Sequence, residues 1–267
     1  MPPLLLLFAL LLPASLAAQL PLTPPGSPTT IAAPEAVDIL RARLLHQPLY
    51  LRSAAAGEHL SFTPDGSLTP AAPPTSFTLS GVQIDSVDRK RDRLVLKGKR
   101  VGLTFPDDHL KRNILKTPIV LDIAAPANGQ YAPVLDRIFF TDLDDIIMGL
   151  PLYWRFFSQA YLSRVALPMP RLTHSCEDST SPPRLIKQIE PTYTDAARRQ
   201  RFQGQSLIHL TITPEGHLDD IFLVNAAGLG LDEEAVNAVR QYVFAPASRN
   251  GTPIACQINI NINFRIY

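Results

Sequence analysis

The chain has 267 residues, 46% hydrophobic and 18% charged. It is long enough to bury a sizeable core and too apolar for a disordered chain or a charge-laced coiled coil. Its 25 Lys and Arg against 24 Asp and Glu leave a formal charge of +1, so no overall field draws it to nucleic acid or an anionic membrane.

No charged residue precedes Glu35. Leu4 to Leu12 is an unbroken apolar run, Pro13 follows, and Leu16-Ala17-Ala18 supplies small residues where a signal peptidase cuts. This is the pattern of a secretory signal peptide over 1–18. The run reaches only about 14 Å as a helix, roughly half a hydrocarbon core. An uncleaved anchor in the inner membrane is therefore the weaker reading, although no Lys or Arg precedes Leu4. Residues 19–34, uncharged and rich in Pro, Thr and Ala, read as a tether. The expected mature chain starts at Ala18 or Gln19 and works in the periplasm or outside the cell.

Residues 35–165 read as a β-rich domain of no recognisable family. Ala36, Val37, Leu40 and Leu44 share one helical stripe after Pro34. Beyond them the period changes to two: Leu49 with Leu51, Leu60 with Phe62, then Phe77 with Leu79. Thr63-Pro64-Asp65-Gly66 supplies a hairpin turn. Val82 and Ile84 reverse parity after Gly81, and the runs around Gly98 do the same, as bulges produce. Leu94, Leu96, Val101, Leu103 and Phe105, with Ile119, Leu121 and Ile123 beyond, predict a twisted antiparallel sheet. Leu143 to Leu162 reads as one helix, its Tyr153-Trp154-Phe156-Phe157 cluster as core. Arg89, Lys90, Arg91 and Arg93, with Lys97, Lys99 and Arg100, are the one basic concentration. It reads as a solvated hairpin tip or as a contact for an anionic wall polymer.

Residues 166–182, rich in Pro, Ser and Thr, read as a linker. After it, Ile208, Leu210 and Ile212 share one strand face, and Pro214-Glu215-Gly216 turns the chain back into Leu218 to Val224. Leu231, Ala235, Val239, Tyr242 and Val243 line a helix stripe, with Asp232, Glu233 and Glu234 in the first turn where the helix dipole favours acids. Ile254 to Ile266 then alternates apolar and polar over thirteen residues, predicting one long strand. The result is ββαβ, a three-stranded antiparallel sheet with one face covered by the helix, in a chain of α+β class.

Residues 183–267 resemble the TonB carboxy-terminal domain family. The matching pieces are Pro191-x-Tyr193 with Ala196-Ala197-Arg198, then Gly204, Pro214-Glu215-Gly216, Leu231-Asp232-Glu233-x-Ala235, Phe244-x-Pro246-Ala247, Asn250-Gly251-x-Pro253 and a closing strand ending at Phe264. Where the family has Pro-Glu-Tyr-Pro, this chain has Pro191-Thr192-Tyr193-Thr194. The resemblance implies a protein-binding module of the bacterial envelope, connected with transmembrane transport, that takes a peptide from an outer-membrane receptor by strand addition. Carried onto this chain, the partner-binding residues are Pro191, Tyr193, Ile258, Asn259, Ile260, Asn261, Ile262 and Asn263. The chain is expected to lack the membrane-spanning helix and the long Pro-Glu/Pro-Lys spacer of the transducer.

Catalysis needs a nucleophile, base or metal constellation. His46, His59, His109, His174, His209 and His217 show no metal-ligand spacing. His174-x-Cys176 lies in the linker, and Asp142-Leu143-Asp144-Asp145 lacks the glycine and spacing of a calcium loop. The chain is read as no enzyme, with no metal and no cofactor. Two cysteines exclude a cysteine-built zinc site. In an exported chain Cys176 and Cys256 are expected to pair, the alternative being two unrelated thiols. The competing functional reading is a structural adaptor that binds wall polymer and forms a homodimer through its last strand.

Overall fold

A computed structural model describes residues 35–147, 149–161, 176 and 179–266. The expected signal peptide, the tether and most of the linker lie outside them. Helix α1 (Val37–Leu44) buries Leu40 and Leu44, the i and i+4 positions of one stripe. Six strands form the first sheet: β1 (Leu49–Leu51), β2 (His59–Phe62), β3 (Gly81–Arg89), β4 (Arg93–Thr104), β5 (Lys111–Ala124) and β6 (Phe139–Phe140), in the order β2-β5-β4-β3-β1-β6. Its inward positions, among them Ile84, Leu96, Ile119 and Leu121, pack with α1 and with α2 (Ala132–Ile138) in one apolar cluster.

Three local expectations fail here. Phe77–Leu79 is a 3-10 turn rather than a strand, because the Ser76 hydroxyl accepts from Thr78 N at 3.0 Å and caps it. The turn at 63–66 forms, with Thr63 N donating to Ser67 O, yet β2 takes β5 as its ladder partner and runs parallel to it, so the sheet is mixed. The helix expected over 143–162 is two, α3 (Asp144–Ile147) and α4 (Leu152–Tyr161), divided by Gly149 and Pro151. Trp154 and Phe157 of α4 are fully buried, with Phe77 edge-on to Trp154 at 4.6 Å and Phe105 edge-on to Phe157 at 4.9 Å.

The carboxy-terminal part runs β7 (Arg184–Lys187), α5 (Asp195–Arg199), β8 (Gly204–Ile212), β9 (Leu218–Asn225), α6 (Leu231–Val239), β10 (Val243–Ala245), β11 (Ala247–Arg249), β12 (Thr252–Ile254) and β13 (Cys256–Phe264). Strands β13-β8-β9 make a three-stranded antiparallel sheet, and α6 packs over β8. β7 pairs with β10 and β11 with β12. The α6 stripe ends at Val239, leaving Tyr242 and Val243 off the helix; Val243 instead pairs with Lys187. The thirteen-residue strand is also interrupted. Asn250 and Gly251, both at positive φ, turn a short hairpin in which Ile254 pairs with Ala247, and β13 begins only at Cys256.

The described residues belong to one compact unit. A single apolar cluster runs from Phe77, Leu103, Phe105 and Trp154 into Ile208, Leu210, Leu231 and Val239, so the first sheet and the carboxy-terminal sheet share a core.

Candidate functional site

Strand β13 is matched to β8 along its whole length, from Cys256 against Ile212 to Phe264 against Gly204. In an antiparallel ladder alternate residues turn both backbone groups to the neighbour and the others turn them away. No strand among the described residues takes the outward groups of β13, so it is an edge strand, with Cys176 against its first residues. The opposite side of the sheet is occupied: α4 packs against β9, with Phe156 at 5.0 Å from Phe222, which in turn stacks on His209 at 4.6 Å.

Along the open edge, Asn259, Asn261 and Asn263 are exposed on one face, and Asn259 Oδ1 lies 2.8 Å from His209 Nδ1. On the other face Ile262 and Phe264 are buried while Ile258 and Ile260 are half-buried, which leaves apolar surface at the middle of the edge. Tyr193 stands at the far end, its ring edge-on to Phe264 at 5.6 Å and its hydroxyl donating to Phe202 O. Burial raises the Tyr193 pKa. Pro191 is half-buried on the approach. Thr194 has its own work: its hydroxyl accepts from Ala197 N at 3.2 Å, capping α5, and donates to Leu229 O at 2.7 Å.

Cys176 and Cys256 are joined in a disulfide, Cα atoms 5.0 Å apart, which ties the chain ahead of β7 to the first residue of β13. The basic tip is partly committed. Arg89 donates to Glu35 O, and Arg93 bridges Asp92 at 2.9 Å and Asp122 at 3.2 Å, while Lys90 and Arg91 are exposed. Arg100 is not on this surface at all: it is buried.

Two carboxylates were not read from the pattern. Asp232 and Glu233 look like dipole-complementing surface acids, yet Asp232 is fully buried where α6 meets β8 and the loop before it, and Glu233 is half-buried. Asp232 accepts from Ser206 Oγ at 2.7 Å, Ala227 N at 2.8 Å and Gly228 N at 2.7 Å. Burial pushes its carboxyl up to about 7, Glu233 beside it adds to the rise, and the three hydrogen bonds oppose it. Glu233 is raised by burial too, although Trp154 Nε1 donates to its Oε1 at 2.8 Å. The small-residue run Ala226-Ala227-Gly228 just ahead of α6 was the available signal, since backbone that close can be held by a buried carboxylate. Among the described residues no three His, Cys, Asp or Glu converge as a metal site.

Residues 189–266 match the family model of the Gram-negative bacterial TonB protein C-terminal. The chain is 29% identical over 80 residues to Protein TonB of Vibrio cholerae, covering 30% of this chain and 33% of that protein. It is 30% identical over 84 residues to Protein TonB of Escherichia coli, covering 31% of this chain and 35% of that one. The chain thus spans about a third of the length of the curated relatives it matches. The solution NMR structure of the Pseudomonas aeruginosa TonB CTD aligns at 24% identity and a TM-score of 0.27, over 32% of this chain and 86% of that one. The carboxy-terminal part is therefore similar to the TonB carboxy-terminal domain. Among the described residues no helix is long and apolar enough to cross a membrane.

Proposed function

We propose that this chain is a protein-binding module of the bacterial envelope that takes an extended peptide, as from an outer-membrane receptor, onto the outer side of β13. The observation that carries the reading is the asymmetry of the carboxy-terminal sheet: β9 is packed by α4, and the outward row of β13 has no strand partner among the described residues. A peptide added there gains main-chain hydrogen bonds along nine residues and can lay alternate side chains on the half-buried Ile258 and Ile260. The similarity of residues 189–266 to the TonB carboxy-terminal domain supports the same surface. In this reading the protein is periplasmic or secreted and is no enzyme.

Neighbouring residues of an antiparallel strand point their N–H groups to opposite sides. Of Ile260→Pro and Asn261→Pro, one removes a bond to β8 and the other only an outward donor. The outward variant is expected to keep its circular dichroism spectrum and lose capture of receptors from solubilised outer membranes. A folded outward variant that captures them as wild type does would refute edge pairing. A wall polymer draws less support, because Arg89 and Arg93 are spent on internal bonds; retention of peptidoglycan alone in the same experiment would favour it, and retention of only a second copy would favour the homodimer.

A further inference from the structure

Arg100 is the one residue of β4 left without a β5 partner where the two ladders slip. The register runs from Lys99 opposite Pro118 directly to Val101 opposite Ile114, so Arg100 alone stands against Leu115, Lys116 and Thr117. The extra residues lie in β5, and Arg100 keeps the parity of the buried Leu94 and Leu96, which turns its guanidinium inward, to 6% exposure. Nη2 donates to Ala55 O at 2.6 Å and to Gly57 O at 2.8 Å, and Nη1 to Leu79 O at 3.4 Å. All three acceptors are neutral. No carboxylate among the described residues is recorded in a hydrogen bond or ion pair with it, and desolvation alone lowers its pKa, to about 10. Buried charges are otherwise paired, because an unpaired one costs several kcal/mol.

Arg100 also lines a cavity of about 280 Å³ between the first sheet and α5. Leu79, Leu115 and Ala196 give it apolar walls, and Thr75 and Thr117 line it as well. Glu58 and Arg199, paired at 4.0 Å, and Asp195 stand in its lining, the pair largely exposed to solvent. We propose that this cavity binds a small organic monocarboxylate, whose charge meets Arg100 and whose apolar body lies on Leu79 and Leu115. A hydrated inorganic anion would leave those walls unused, and a second negative charge would face Glu58 and Asp195. The site joins β4 and β5 to α5, so the occupant bridges the first sheet and the carboxy-terminal module. It is independent of the β13 edge.

The test is titration of the full chain with butyrate, benzoate, acetate and inorganic phosphate, each to about 10 mM, by calorimetry and thermal shift. Butyrate or benzoate should bind and raise the melting temperature, with acetate weaker. Arg100→Met should abolish the effect. Since that variant also removes three buried hydrogen bonds, a second one keeps Arg100 in place: Ala196→Phe fills the cavity from α5 and should weaken binding at least tenfold while the protein stays folded. A Lys90→Ala, Arg91→Ala double variant at the exposed tip should bind as wild type. No response to any carboxylate, undiminished binding by folded Ala196→Phe, loss of binding in the tip variant, or phosphate binding as tightly as butyrate would each overturn the proposal.

Discussion

Asp232 shows how one side chain can set a pH dependence. Its carboxyl titrates near 4 in an unfolded chain and is held up to about 7 by burial in the native one. A raised folded pKa means that the stabilisation is complete below about 4, where both states are protonated. It is lost as pH climbs to about 7, because the unfolded chain ionises first. Glu233 shifts in the same direction. At about 1.4 kcal/mol per pH unit, Asp232 accounts for at most about 4 kcal/mol. Denaturant midpoints are therefore expected to fall between pH 4 and 7.5. Asp232→Asn should flatten that slope, while costing about 1–3 kcal/mol at pH 4 because an amide hydrogen meets a backbone N–H. An unchanged slope in the variant would assign the dependence elsewhere. The sequence shows an acid in a first helical turn and no more. What distinguishes Asp232 is the loop folded against it, a tertiary fact that spacing does not contain.

At the scale of elements, alternation and stripe were legible and interruptions were not. Ile208, Leu210 and Ile212 occupy one face as their spacing requires, and the even positions of β13 face α6's side of the sheet. Alternation persists through Ile254-Ala255-Cys256, however, where the chain passes from the β11–β12 hairpin to β13, because a bend need not change parity. The open edge was legible too, but for a different reason from the one the structure gives. Thirteen residues of strand appear too long for the hairpin to cover, whereas nine are fully paired with β8 and have no second strand partner among the described residues. The disulfide to Cys256 sits at the start of that strand and closes a separation of 80 residues. In the chain-entropy account it stabilises by about 4 kcal/mol. Reduction, or Cys176→Ser, is expected to lower the denaturant midpoint accordingly and to speed hydrogen exchange at residues 256–258 first. Equal midpoints with and without reductant would show that the bond restrains nothing in the unfolded chain.

The two halves that composition separates, 35–165 and 183–267, meet at backbone distance in the whole molecule. Gly228 has φ +96°, and a Cβ there would lie 2.1 Å from Leu103 O; a Cβ on Gly102 would lie 2.1 Å from Leu229 Cδ2. Leu229 N donates to Leu103 O at 3.0 Å and Gly230 N to Thr78 Oγ1 at 2.8 Å, so the loop before α6 is bonded to the first sheet as well as packed on it. Trp154, the single tryptophan of the chain, donates to Glu233 at the same junction and makes its fluorescence a local probe. A shared core predicts that Trp154 emission and far-UV circular dichroism report one coincident unfolding transition. Gly228→Ala pairs a left-handed φ with a clash against backbone, neither of which a side chain can relieve. It should red-shift Trp154 at denaturant concentrations where most secondary structure survives, so that the two transitions separate. Coincident, unshifted transitions in that variant would mean that the halves do not depend on this contact. Separation would mean that the contact holds the β13 edge in a fixed orientation to the first sheet, and that an occupant at Arg100, which touches both, could strengthen the hold.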